Sequence, residues 1–269
     1  MELGNAAWGL RETPLEQQLA ITAAMGVPLL ELSIAGYDRD FLQLDADDAR
    51  IRAVRDLFDR FGIRRDCACT GNDFTGDDVD AQLAKVRRVI EIAAKLDVKL
   101  LRIFAGFASD SVVYGPRFDR MLDALRSAAR HAAERGITLA VETHGGVTAN
   151  GSALVHFASV TTRIDTWPEI LKTGVSINYD PANFAAAGAP DPVALYTRFR
   201  DAVRYVHHKD FRSVPGGVVP AACGEGRLDW PLLMETLRDY RGPALIEYEV
   251  PEDVEEGLRR SLEFLRRFC

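Results

Sequence analysis

Few cysteines, few histidines and no long apolar run mark this chain, and each shortage removes a class of function. Its 269 residues include four cysteines, Cys67, Cys69, Cys223 and Cys269, with no Cys-x-x-Cys pair. That spacing speaks against a structural zinc site, and a chain of this length needs no disulfide framework. No stretch of about 18 apolar residues offers a membrane span. The segment Met1–Asn5 lacks the basic start and apolar core of a secretory signal, so the cytoplasm is the expected setting. Neither Gly-x-Gly-x-x-Gly nor the Gly-Lys-Ser/Thr phosphate loop occurs. A net charge of −7 disfavours nucleic acid and anionic lipid as partners.

What is present is an alternation of short apolar strands and amphipathic helices. Strands are predicted near 2–8, 29–33, 63–70, 99–104, 137–142, 175–179, 203–209 and 244–249. Between them run helical patterns such as Leu83, Val86, Ile90 and Ala94. Glycines punctuate the helix ends at Gly26, Gly62 and Gly136. Eight strand–helix units without a Pro/Gly/Ser-rich linker predict α/β architecture and one (β/α)8 TIM barrel over residues 1–269. The position after strand one reads Trp8-Gly9-Leu10-Arg11, which disfavours a doubly wound nucleotide-binding sheet. The longest irregular stretch is expected at 143–159, where a long loop suggests function.

A parallel barrel carries its chemistry where strands end. Polar residues interrupt the ends of four consecutive strands: Val141-Glu142-Thr143-His144, Asn178-Tyr179-Asp180-Pro181, His207-His208-Lys209-Asp210 and Glu247-Tyr248-Glu249. Carboxylates and a histidine converging there would repel one another without a cation, so one divalent metal is expected, Mn²⁺, Mg²⁺, Co²⁺ or Zn²⁺. Strand side chains alternate, so one of the two histidines points inward. His207 is preferred, because it shares a face with Lys209. Taken singly, each residue also has a plainer reading: a strand-end Glu paired with a nearby base, Asp180 as a turn residue before Pro181, or Lys209 and Asp210 as a surface pair. Arg102 is read as the partner of a barrel carboxylate.

These segments, together with Gly224-Glu225-Gly226, resemble the xylose isomerase-like barrel superfamily over nearly the whole chain. That superfamily includes sugar epimerases, isomerases, dehydratases and endonuclease IV. The resemblance implies a metal held by Glu142, Asp180, His207 and Glu247, with the two glutamates acting as acid and base. It implies substrate contacts from His144, Asn183, Lys209 and Arg212. The expected reaction is isomerisation or epimerisation of a small sugar or cyclitol-like substrate through an enediolate. A lyase is the alternative, and a sugar-binding barrel without activity is a more distant one. Thr148 stands where the ketohexose epimerases carry a second glutamate, which weakens that narrower assignment. A DNA-repair site is not expected, because the chain has five histidines and lacks an Asp-x-His pair between Gly224 and Trp230. A homo-oligomer is compatible with these features.

Overall fold

The computed structural model describes residues 1–189 and 191–268. Cys269 therefore lies outside the described residues. In the first half of the chain, β1 (Glu2–Asn5), β2 (Leu29–Leu30), β3 (Leu32–Ser33), β4 (Cys67–Cys69) and β5 (Leu100–Ile103) alternate with α1 (Leu15–Met25), α2 (Asp48–Phe61), α3 (Val79–Lys95) and α4 (Pro116–Ala133). The second half supplies barrel strands β6 (Thr138–Glu142), β9 (Ser176–Tyr179), β10 (Val203–His208) and β13 (Pro243–Ile246). Its helices are α5 (Trp167–Leu171), α6 (Pro181–Ala186), α7 (Ala194–Phe199), α8 (Trp230–Thr236) and α9 (Val254–Leu265).

The parallel sheet runs β2-β1-β13-β10-β9-β6-β5-β4-β3. Its two outermost members are halves of one strand segment, Leu29–Ser33, interrupted at Glu31. β2 pairs with β1 on one side and β3 with β4 on the other, so the sheet closes on itself. This is the predicted TIM barrel, with its eight strand segments in the predicted order. The third strand is shorter than expected, reduced to Cys67–Cys69 and an isolated bridge between Leu29 and Arg64.

Helix ends follow local chemistry. The side chains of Asp47, Asp78 and Asp229 accept from the backbone N–H three residues on, capping α2, α3 and α8. Each such cap stabilises by about 1 kcal/mol. Gly26 and Gly62 end α1 and α2 in the left-handed region at φ 68 and 65. The apolar face of α4 (Phe118, Met121, Leu125, Ala128 and Ala132) repeats every three or four residues and is buried.

Inside the barrel, Leu29, Cys67, Ala140, Tyr205 and Leu245 belong to an apolar plug, with Leu100 packed against it. Strand side chains repeat every second residue on one face. Two residues further along each strand, the same inward face carries Glu31, Cys69, Glu142, His207, Glu247 and Arg102. All six are buried. The plug thus excludes water from below and the polar ring stands on top of it.

The stretch expected to be irregular is ordered. β7 (Gly146–Asn150) and β8 (Ala153–Phe157) form an antiparallel hairpin. β11 (Asp210–Val214) and β12 (Gly217–Ala221) form a second one, and β12 meets β8 to complete a four-stranded sheet. Gly151 occupies the first central position of the β7–β8 turn at φ 63, a place that favours glycine. The small sheet walls one side of the barrel mouth. Among the described residues, no helix is long and apolar enough to cross a membrane.

Candidate metal centre

Glu142, Asp180, His207 and Glu247 come together, each offering one ligand atom, all within 4.8 Å of one another. Ligands on opposite sides of one divalent ion need a separation of about 4–5 Å. Glu142 ends β6, Asp180 follows β9, His207 lies on β10 and Glu247 follows β13. Adjacent strands thus deliver them side by side. His207 Nδ1 lies 3.6 Å from Glu142 Oε1 and 3.6 Å from Glu247 Oε2. His208 points the opposite way, its ring edge-on to Trp230 at 5.6 Å. Alternation along β10 thus turns His207 toward the cluster and His208 away from it.

The two oxygens of Asp180 do different things. Its Oδ1 accepts from Asn183 N at 2.9 Å and caps α6. Its Oδ2 is buried without a hydrogen-bond partner. His207 Nδ1 and Glu247 Oε2 are buried and unpartnered in the same way. Lys209 Nζ ion-pairs with Glu247 Oε2 at 2.5 Å and with Asp180 Oδ2 at 3.4 Å. Buried polar atoms are rarely left without a hydrogen bond, and three residues of this cluster each carry one such atom.

The charge balance leads to the same place. Glu31, Glu142, Asp180, Glu247 and Glu249 are five carboxylates, ion-paired by Arg102, Lys209 and His207. With Arg102 and Lys209 as the only permanent cations among these groups, three negative charges remain, or two when His207 is protonated. Burial works against the charge of Glu142, but Arg102 and then His207 outweigh it and hold the carboxyl below its ordinary range. Burial likewise opposes Glu247, and Lys209 and His207 hold it well below that range. Asp180 goes the other way. Burial raises it, Lys209 only partly offsets this, and Glu142 and Glu247 push it further, to about 7. Burial opposes the imidazolium of His207, yet Glu247 and Glu142 raise it well above the usual value. A divalent cation held among these groups would offset the remaining negative charge. The residues present fit such an ion, with oxygen ligands and one imidazole.

The cluster opens into a cavity of about 570 Å³, an ordinary size for a small-molecule site. Its walls include Trp8, Tyr37, Phe104, Phe107, Leu154 and Pro220, and its polar lining includes His144, His156, Asn183, Lys209 and Glu249. His144 packs edge-on against Phe104 and Phe107 at 5.3 and 5.4 Å. Burial lowers the pKa of His144 below the ordinary imidazole value and that of His156 to about 3, so both stand neutral near pH 7. Asn183 Nδ2 donates to Glu142 Oε1 at 3.1 Å, and Lys209 Nζ approaches Asn183 Oδ1 at 3.4 Å.

Arg212 is not part of this assembly. It is exposed on β11 and does not line the cavity. Arg212 lies two positions after Asp210 on β11, a strand of the small sheet that has already left the barrel, so barrel alternation does not aim it at the site. Asp210, for which a surface ion pair with Lys209 is the plainer reading of the sequence, is buried. It accepts from the backbone N–H groups of Gly224, Gly226 and Arg227 and from Trp230 Nε1. A Cβ on Gly226 would meet that carboxylate at 2.0 Å, which explains the glycine.

Glu31 joins the site without having stood out in the sequence. It is fully buried beside Arg102 and His207, and its one signal is its place two residues after the plug residue Leu29. Arg102, on β5, pairs with Glu142 at 3.2 Å, the barrel-carboxylate partnership read for it from the sequence.

The sequence pattern of the xylose isomerase-like TIM barrel matches residues 19–268. No curated protein matches the chain. Among solved structures, a xylose isomerase domain protein from Planctomyces limnophilus aligns with a TM-score of 0.75 at 20% identity, over 93% of this chain and 91% of the other. The probable 3-DHS dehydratase AsbF from Bacillus anthracis gives 0.78 at 15% identity over 99% of both. D-allulose 3-epimerase from Methylomonas sp., in complex with D-allulose, gives 0.74 at 17% identity over 100% of this chain and 97% of the other.

Proposed function

The chain belongs to the xylose isomerase-like TIM barrel family, and from that premise we propose that it isomerises or epimerises a small sugar-like ketone by moving a proton beside the carbonyl. The observation that carries this reading is the pair Glu142 and Glu247, both buried and held charged, with ligand atoms converging beside His207 Nδ1. A divalent ion held by Glu142, Asp180, His207 and Glu247 would supply positive charge next to the substrate's carbonyl and neighbouring hydroxyl, easing the build-up of negative charge on oxygen.

The chain's own groups divide the remaining work. One of Glu142 and Glu247 takes the proton from the carbon and the other returns one. Asn183 fixes the rotamer of Glu142 through its 3.1 Å bond. Lys209 keeps Glu247 charged and stands as a proton donor beside it. His144, Asn183 and Lys209 line the cavity and are positioned to bind substrate hydroxyls. The aromatic wall of Trp8, Tyr37, Phe104 and Phe107 sheds water and offers faces to the C–H surface of a sugar ring.

A lyase reading stays open on one observation. Loss of a β-hydroxyl needs a proton delivered to the leaving oxygen, and the Lys209 ammonium lines the same cavity. One experiment separates the two: incubate the Mn²⁺-loaded protein with a panel of ketoses and inososes and weigh the products. Conserved mass supports isomerisation, and loss of one water supports elimination. A protein that binds the ion yet converts none of the panel would point to a binding barrel.

A further inference from the structure

Building on the metal-site reading, we propose that Glu31 is a positioning residue that sets the His207 imidazole in the tautomer turning a bare Nδ1 toward the cation. Glu31 is a charged group in the dry interior, with no exposed surface. Both its oxygens are aimed by neutral donors. Ala7 N donates to Oε2 at 2.9 Å, and the Tyr205 hydroxyl donates to Oε1 at 2.8 Å. The direction of the carboxylate is therefore fixed without help from the histidine. Arg102 Nε and His207 Nε2 each lie 3.7 Å from Oε1.

An imidazole that gives Nδ1 to a metal carries its proton on Nε2, and an outer acceptor for that proton fixes the ring. At 3.7 Å the contact with Glu31 is a charge contact, longer than a hydrogen bond. Both groups are fully buried and too close together for a water to stand between them, so the charge still favours a proton on Nε2. A second neighbour gives the opposite instruction. Asn178 Nδ2 lies 3.5 Å from the same nitrogen and is a donor, so it would favour a bare Nε2. Asn178 Oδ1 has no partner of its own. A full charge outweighs an amide dipole at these distances, and turning the amide would give Nε2–H a second acceptor. Glu31 also shares Arg102 with Glu142, which Arg102 approaches at 3.2 Å. The same side chain thus braces two of the four ligands. Its place in the chain suits that role, because the strand segment breaks between β2 and β3 at Glu31.

The test is Mn²⁺ affinity by titration calorimetry on wild type, Glu31→Gln and Asn178→Ala, with circular dichroism as a fold check. Zinc-loaded wild type with ¹⁵N-labelled histidine supplies a second measurement. The expected result is a 10- to 100-fold weaker site in Glu31→Gln and unchanged affinity in Asn178→Ala. In the ¹⁵N spectrum, His207 should carry its proton on Nε2 and show the metal-induced shift on Nδ1. Equal affinity in Glu31→Gln and wild type would overturn the assignment. So would a loss confined to Asn178→Ala, or a metal-induced shift on Nε2. Should Glu31→Gln fail to fold, the wild-type spectrum decides alone. A wild type that binds no ion removes the functional reading as well, whereas ion binding insensitive to residue 31 removes only the role of Glu31.

Discussion

Asn183 and Glu142, 41 positions apart in sequence, meet through a single 3.1 Å hydrogen bond from an amide to a carboxylate oxygen. The amide is anchored by the first turn of α6, which Asp180 caps. One residue of the four-residue cluster therefore helps to orient another through the short helix between them. Replacing Asn183 by Ala should lower kcat roughly tenfold with a smaller change in KM, because the loss falls on orientation of the acid–base group. A change confined to KM would make Asn183 a substrate contact only.

Glu142→Gln and Glu247→Gln should each lower turnover by about 10²- to 10⁴-fold, the usual contribution of a positioned acid or base. Steady-state rates on whichever ketose or inosose the wild type converts give the measurement. Near-normal rates in both variants, with the ion retained, would sink the acid–base assignment.

One divalent ion per chain should be found after Mn²⁺ loading and desalting. At about 100 times its dissociation constant the ion should stabilise the folded state by about 2.7 kcal/mol. For a chain of this size that corresponds to a rise in Tm of roughly 5–10 °C, reversed by EDTA. Uptake should weaken in acid, since the carboxylate ligands must be deprotonated to bind. Elemental analysis with no metal after loading would break the central claim.

His156 makes a separate prediction about pH. Burial, aided by Lys209, drops its folded pKa to about 3, whereas the unfolded chain protonates near 6.5. Between those values the unfolded state binds more protons, so this contribution to stability is intact above about 6.5 and is lost as pH falls toward 3. His156→Phe should flatten the decline of the urea midpoint over that window. A decline as steep in the variant as in wild type would show that His156 is not involved.

Asp210→Ala should cost at least about 3 kcal/mol, because several buried N–H groups and Trp230 Nε1 lose their shared acceptor at once. Urea denaturation with an unchanged m-value is the check. A loss below about 1 kcal/mol would mean that water takes over as acceptor.

The residues legible in the sequence share one property: they end an apolar strand with a charge. Glu142, His207 and Glu247 follow the plug residues Ala140, Tyr205 and Leu245 by two positions, and period-two alternation finds them. Glu31 obeys the same rule after Leu29. It stays hidden because Leu29-Leu30-Glu31-Leu32-Ser33 reads as one continuous strand, and its partners lie 71 and 176 positions further along. The β7–β8 hairpin carries its own signal, Gly151-Ser152 between two alternating runs, which a pattern of barrel units alone does not include. Arg212 falls outside the site for a related reason. Alternation predicts a face only while the strand stays in the barrel, and β11 belongs to the small sheet.

The pairing of β1 with β13, Glu2 opposite Pro243, carries a consequence for how the molecule is made. A ribosome releases the first strand long before its neighbour exists, so one edge of the sheet must wait for almost the entire chain. Glu247 emerges with that same neighbour, just beyond its end at Ile246. The last proposed ligand and the last strand thus arrive together. A nascent chain truncated before β13 would hold three of the four proposed ligands on an unclosed sheet, and on the proposed reading capture of an ion would coincide with closing the seam.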